Sequence, residues 1–217
     1  MGLTVDECVL CLIRHGETAW NAERRLQGHL DIPLNETGHV QASATARNLA
    51  DHHFSALYSS DLARARQTAQ AIIELTALDP VVTDQLRERH YGAFQGLTYE
   101  EARARYPDDY ARFSGRARDS ALPGGGESLQ AFNARITATL EQLAKHHRGE
   151  QILIVTHGGV LDIAHRHASG KTLEAPRDFP IPNAALNWIS CTRGRWRILR
   201  WAEAQHLDGA RDELADH

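Results

Sequence analysis

The chain is poor in lysine, in cysteine and in long apolar runs. Lys145 and Lys171 are its only lysines, so nearly all of its 24 basic residues are arginine. Its 28 Asp and Glu residues outnumber them and leave a net charge of −4. A mildly acidic chain lacks the broad positive field of a non-specific nucleic-acid binder. Three cysteines in 217 residues exclude a disulfide scaffold. The longest apolar runs, such as Cys8–Ile13 and Ile152–Val155, fall far short of a membrane span. The opening MGLTVDEC has no basic stretch leading into an apolar one, so no secretory signal is expected. A soluble cytoplasmic protein is the expectation. With 42% hydrophobic and 24% charged residues, the chain is neither disordered nor collagen-like. Its length suits one domain, residues 1–217, with a substantial core.

Two short runs, Cys8–Ile13 and Ile152–Thr156, are almost continuously apolar. That pattern suits central strands of a parallel sheet, buried on both faces. Ala56–Tyr58 and Val81–Val82 are weaker strand candidates. Asn187–Ser190 and Trp196–Trp201 read as late strands, with a turn over Thr192–Arg195. Helical spacing appears between them: Glu36–Ala50 behind an Asn35 cap, Asp61–Leu78, and Leu129–Leu143. Thr98 and Glu101 form a capping box that opens a short helix ending before Pro107. The alternation predicts an α/β fold: a three-layer α/β/α sandwich around a mostly parallel sheet. Residues 91–113 break the rhythm and hold six of the 14 aromatics. With the Pro123–Gly126 loop they read as a lid insertion, about 91–126, over the C-terminal strand ends. A satellite packing cluster with no substrate role explains the same residues equally well. The polar Asp208–His217 is expected to fray.

The first apolar strand runs directly into Arg14-His15-Gly16, and the second into Thr156-His157-Gly158-Gly159. Ligands of open α/β sheets bind beyond the carboxyl ends of the strands. One histidine there is more often structural, but two at matched strand ends point to a site. Imidazoles suggest a metal, yet no HExxH motif or carboxylate cluster accompanies them, and Arg14 would repel a cation. The charges favour an anion. Arg64, in the first turn of a helix after a strand, suits phosphate oxygens. In such a pocket a neutral imidazole can attack phosphorus, with arginines stabilising the transferred group. The reaction then needs a proton donor. Glu88, between the pocket and the aromatic segment, is a candidate. From the residues alone, a surface ion pair with Arg87 or Arg89 is the stronger reading of it.

The stretch Leu12–Asn21 closely resembles the signature of the histidine phosphatase superfamily, the phosphoglycerate mutase-like proteins. The similarity continues through Arg25–Leu34, Tyr58–Ala69, Glu88–Gly96, Gly125–Ser128 and Val155–Gly159. Arg-His-Gly alone is a weak signal; five further motifs in order make a strong one. The resemblance implies that His15 is the nucleophile that becomes phosphorylated. It implies that Arg14, Asn21, Arg64 and His157 hold the phosphoryl group and that Glu88 is the general acid. Gln27 and Gly28 match a loop bordering the substrate, and Thr156 a supporting position. Arg64, not Arg66, stands at the family spacing after Ser-Ser-Asp. The resemblance implies no metal and no cofactor, a small phosphorylated metabolite as substrate, and, since members are often dimers, a homodimer.

The same site supports a phosphatase or a cofactor-dependent mutase. Glu88-Arg-His-Tyr-Gly resembles true mutases, but their longer insertion carries lysines and clustered prolines that are lacking here. The short 92–126 stretch resembles the broad phosphatase branch, which is the favoured reading. Seven arginines between residues 87 and 118 face five acids, Glu88, Glu100, Glu101, Asp108 and Asp109. That balance argues against a strongly multi-anionic substrate, and the aromatics suit an apolar or planar group. A third reading, a non-catalytic phosphoryl-binding module, is disfavoured because His15 and Glu88 are both present. Cys8 and Cys11 fall on opposite faces of a strand and read as core. His52-His53 and His146-His147 read as surface residues near helix ends. Glu17, Thr18 and Trp20 are candidates for the pocket wall, with Trp20 better read as packing.

Overall fold

The computed structural model describes residues 4–76 and 78–207; the expectation for 208–217 lies outside them. Strand β1 (Glu7–Arg14) is buried along its whole length. It pairs in parallel with β4 (Gln151–Thr156), with Cys11 opposite Leu153 and Arg14 opposite Thr156. Beyond β4 lie β2 (Ala56–Ser60) and the edge strand β3 (Pro80–Thr83), both parallel. On the other side, β5 (Leu186–Thr192) runs antiparallel to β1, and β6 (Arg195–Glu203) antiparallel to β5. The sheet order is β3-β2-β4-β1-β5-β6. A two-residue turn, Arg193 (φ 51°) and Gly194 (φ 77°), closes the last hairpin. Two left-handed residues match the twist of antiparallel strands.

Alternation along β1 separates two cores. Cys8, Leu10 and Leu12 pack with α6 (Leu129–His146) and α7 (Gly158–Ser169). Val9, Cys11 and Ile13 pack with α2 (Glu36–Leu49) and α3 (Ala63–Thr76) on the opposite face. The result is the predicted sandwich with helices on both faces. It also places Cys8 and Cys11 in different cores, so that pair cannot share a ligand. Helix α1 (Ala19–Ala22) is a single turn capped by Thr18.

Helix α3 starts two residues later than its apolar spacing suggests. The Ala63 amide donates to Asp31 Oδ1 at 2.6 Å, a cap supplied from a distant loop. Helix α6 runs three residues beyond Leu143, because Ala144 still faces the core. His147 departs from expectation: it is buried, its ring bonded to Tyr58 Oη (2.8 Å) and Glu150 Oε2 (2.6 Å). His52 is also half-buried, stacked on Trp188. Helix periodicity carries no information about a ring that turns back under a strand.

Between β3 and α6 the chain builds α4 (Tyr99–Arg105), with the predicted Thr98–Glu101 capping box, and α5 (Pro107–Ser114). Phe94, Leu97, Ala102 and Leu122 form a small core there with Leu26. Phe94 and Phe113 meet edge to face at 5.7 Å. This segment therefore has packing of its own, as the satellite reading required.

Candidate active site

Parallel pairing brings the two strand–His–Gly junctions side by side. Arg14 faces Thr156 across the ladder, and the His15 amide donates to Thr156 O at 2.9 Å. The two imidazoles follow at once, with ring centroids 5.2 Å apart and the rings inclined at 61°. Gly16 is required where it stands. A Cβ there would lie 2.5 Å from Gly38 O in the first turns of α2. The Gly16 amide donates to Thr68 Oγ1 on α3 (3.0 Å).

His15 is 3% exposed, and its Nδ1 lies 2.7 Å from Gly16 O. A carbonyl oxygen only accepts, so Nδ1 carries the proton and Nε2 keeps its lone pair. Burial, then Arg64 and Arg14, holds the ring well below the ordinary histidine range, so it is neutral. Asn183 Nδ2 donates to His15 O and the Ala184 amide to Arg14 O, both at 2.9 Å. Residues just ahead of β5 thus fix the junction from the other side.

His157 is fully buried at the N-terminus of α7, and its Nε2 lies 2.8 Å from Ser60 Oγ. Its other nitrogen has no partner among the described residues. Burial, followed by Arg64, His15 and Arg14, keeps this ring neutral too.

Arg14 Nη1 donates to Ile181 O at 2.8 Å. Arg64 lies in the first turn of α3, as the sequence suggested, and is 1% exposed. Its Nη atoms donate to Leu30 O (2.9 Å) and Gly28 O (2.8 Å), which ties it to the Gln27–Gly28 loop. Burial lowers its pKa to about 10. Asn21 Oδ1 accepts the amide and the hydroxyl of Thr18, both at 3.0 Å.

Glu88 is not a surface ion pair. It is 8% exposed. Its carboxylate accepts the Arg89 amide (2.7 Å) and the Gly159 amide (2.8 Å). Arg87 turns away to a two-pronged contact with Asp61 (2.8 and 2.6 Å). Burial raises the Glu88 pKa, against the pull of those two amides and of Arg64 and Arg14. Gly159 makes room for the carboxylate, since a Cβ there would lie 2.1 Å from Glu88 Oε1. Thr156 Oγ1, expected in support, donates to Leu86 O at 2.8 Å and ties β4 to this segment.

One cleft gathers Arg14, His15, Asn21, Gln27, Gly28, Arg64 and Glu88. Seven of the eight expected site residues therefore share one cleft; the eighth, His157, stands beside it with its ring 5.2 Å from that of His15. Trp20, Arg24, Arg25, Leu26, Tyr91 and Tyr99 complete the lining. Trp20 belongs to the wall, while Thr18 caps α1 and Glu17 accepts Asn35 Nδ2. Of the six clustered aromatics only Tyr91 and Tyr99 reach the cleft. The arginines between 103 and 118 do not line it; Arg24 and Arg25 do. The charge balance of the 87–118 stretch therefore does not describe the cleft. Sequence reasoning missed Ser60, Thr68, Asn183 and the Gly159 amide. Ser60, Thr68 and Gly159 lie inside motif stretches and so carried a signal; Asn183 lies outside all of them.

A family model described as histidine phosphatase superfamily (branch 1) matches residues 10–204. The chain is 42% identical over 207 residues to phosphoglycerate mutase-like protein 4 of Arabidopsis thaliana, covering 94% of this chain and 89% of that one. It is 40% identical over 206 residues to a metal-independent phosphoserine phosphatase of the same plant, covering 91% and 82%. Its backbone superposes on Bacillus stearothermophilus YhfR with a TM-score of 0.84 at 29% identity, covering 93% and 100%. The chain belongs to the histidine phosphatase superfamily.

Proposed function

We propose that the chain is a metal-independent phosphomonoesterase working through a phosphohistidine on His15. The observation that carries this reading is the Nδ1–H bond of His15 to Gly16 O, which leaves Nε2 as the nucleophile in a cleft walled by Arg14 and Arg64. Nε2 attacks phosphorus, and the bond to the ester oxygen breaks. Glu88 protonates the departing alkoxide. The Glu88 carboxylate then takes a proton from water, whose oxygen attacks the phosphoryl group and releases phosphate and neutral His15. Arg14, Asn21, Arg64 and His157 hold the phosphoryl oxygens. Gln27 and Gly28 border the substrate.

The substrate is a small phosphorylated metabolite with a second acidic group. The guanidinium groups of Arg24 and Arg25 in the cleft lining support this. The relative named as a phosphoserine phosphatase supports the same class. Residues 91–126 act as a lid within a single domain, with Tyr91 and Tyr99 as its contact face. Three cysteines without disulfides support a reducing, cytoplasmic setting. An exposed β3 edge, with Val81 and Val82 at the surface, supports a homodimer, which light scattering would measure.

The test is turnover of p-nitrophenyl phosphate in EDTA. Turnover that survives chelation and vanishes in His15→Ala supports the reading; a requirement for metal ends it. The mutase-like name of the 42% relative favours one further assay. Isomerisation of 3-phosphoglycerate that depends on its bisphosphate would replace hydrolase by mutase.

A further inference from the structure

The segment that carries Glu88 belongs to neither helix nor strand beyond a single 3-10 turn at Asp84–Leu86. Its carbonyl groups therefore need partners from elsewhere. One side chain supplies most of them. Arg135, on α6, directs Nη1 to Gln85 O (2.9 Å) and Arg87 O (3.0 Å). Its Nη2 donates to Glu88 O (3.2 Å) and Glu127 Oε2 (3.0 Å), and its Nε to Glu127 Oε1 (3.0 Å). All five N–H groups of the guanidinium are used. The plane is fixed further by Phe132, whose ring centre lies 5.1 Å from Arg135 Cζ.

Glu127 completes the frame. Its Oε2 accepts the His90 amide (2.8 Å), and its carbonyl accepts Arg89 Nη2 (2.8 Å). His29 Nε2 makes a second contact with Glu88 O at 2.9 Å. The main chain is thus held on both sides of the one residue that must deliver a proton.

We infer that Arg135 is a positioning residue for the proton donor: through the main chain of residues 85–88 it sets where the Glu88 carboxyl stands over the leaving oxygen. Lysine cannot replace it, since one ammonium cannot span three carbonyls and a carboxylate in a plane. The inference rests on the reading of Glu88 as the acid.

The experiment compares Arg135→Lys with the unaltered enzyme on two esters, p-nitrophenyl phosphate and glycerol 2-phosphate. A good leaving group needs little protonation, and a poor one needs much. Arg135→Lys should lower kcat/KM, which reports the step that expels the alcohol, by about ten-fold or more on glycerol 2-phosphate and by no more than about three-fold on p-nitrophenyl phosphate. In a Glu88→Gln background the same substitution should cost almost nothing further, because the group it positions is gone. Glu127→Gln, which weakens the anchor of the guanidinium and keeps its shape, should give the same split if Arg135→Lys folds poorly. Equal losses on both esters, or losses that add to Glu88→Gln, would overturn the inference and leave Arg135 a packing residue. If Glu88→Gln itself lowered kcat/KM alike on both esters, the acid role would fall and the inference with it. If Glu88→Gln separates the esters and Arg135→Lys does not, the positioning role alone falls.

Discussion

The two strand–His–Gly junctions share one sequence grammar, and the structure gives them different surroundings. Both follow buried parallel strands, and both rings are neutral for the same reason, burial beside Arg14 and Arg64. They differ in what holds the second ring nitrogen and in what the ring faces. His15 has its Nδ1 proton pinned by the next residue's carbonyl and lines the cleft. His157 is fixed by Ser60 on β2 and stands with its ring 5.2 Å from that of His15. In the proposed mechanism one local hydrogen bond separates the nucleophile from its helper. No difference in intrinsic chemistry separates them.

The most direct way to break that comparison is to remove each ring. His15→Ala should lower kcat by at least about 10⁴-fold, because no covalent intermediate can form. His157→Ala should cost about 10²–10³-fold, the usual loss for one stabilising donor. Acid-labile, base-stable phosphate trapped on the protein during turnover should persist in His157→Ala and vanish in His15→Ala. Labelling in His15→Ala would mean that the roles are reversed.

The glycines sharpen the comparison at lower amplitude. Gly16→Ala forces a methyl against the Gly38 carbonyl, backbone on backbone, and displaces His15 itself. It should slow all esters alike, by about 10²-fold, and destabilise the fold by about 1–3 kcal/mol. Gly159→Ala pushes on the Glu88 carboxylate, a side chain that can shift. Its cost should be about ten-fold and should fall on esters with poor leaving groups. Steady-state kinetics on two esters reads both; equal behaviour of the two variants would erase the distinction between floor and acid.

Much of this site was legible because it is local. A strand of eight buried residues, a histidine at its end and a glycine after it are adjacent in sequence, and family motifs preserve that adjacency. Thr98 with Glu101, and Asn35 ahead of α2, are legible for the same reason. What escaped is contact across distance. Asn183 lies 168 positions from His15, and Arg135 47 positions from Glu88. Glu88 read as a surface ion pair because its neighbours in sequence are arginines. In space one of these turns to Asp61 and the other to the Glu127 carbonyl. The aromatic segment was ambiguous because composition does not say which way a ring points: Phe94 and Phe113 face each other while Tyr91 and Tyr99 face the cleft.

The pH profile tests the division of labour between ring and carboxyl. The pKa of His15 lies well below the ordinary 6.5, so acid should not inactivate the nucleophile until well under that pH. Glu88 has its pKa raised above 4.5, and the acid role needs its proton. The rate on glycerol 2-phosphate should therefore fall about ten-fold per pH unit once pH exceeds the Glu88 pKa. Glu88→Gln should abolish that alkaline fall. A fall that survives in Glu88→Gln would assign the proton to another group.

The smallest effect lies in stability, where the two junctions should behave alike. Both histidines have folded pKa values below the unfolded 6.5. Below pH 6.5 the unfolded chain binds protons that the folded one refuses, so stability is complete above that pH and declines as pH falls. Each ring contributes up to about 1.4 kcal/mol per pH unit on that descent. Glu88, with its raised pKa, acts in the opposite sense closer to its own titration. Urea unfolding at a series of pH values should show the decline, and His157→Asn should flatten it by about one proton. An unchanged slope in His157→Asn would mean that the buried ring already carries a proton. A charged imidazole would then stand 5.2 Å from the His15 ring, and burial beside the two guanidinium groups, the shared reason for reading both rings as neutral, would fail.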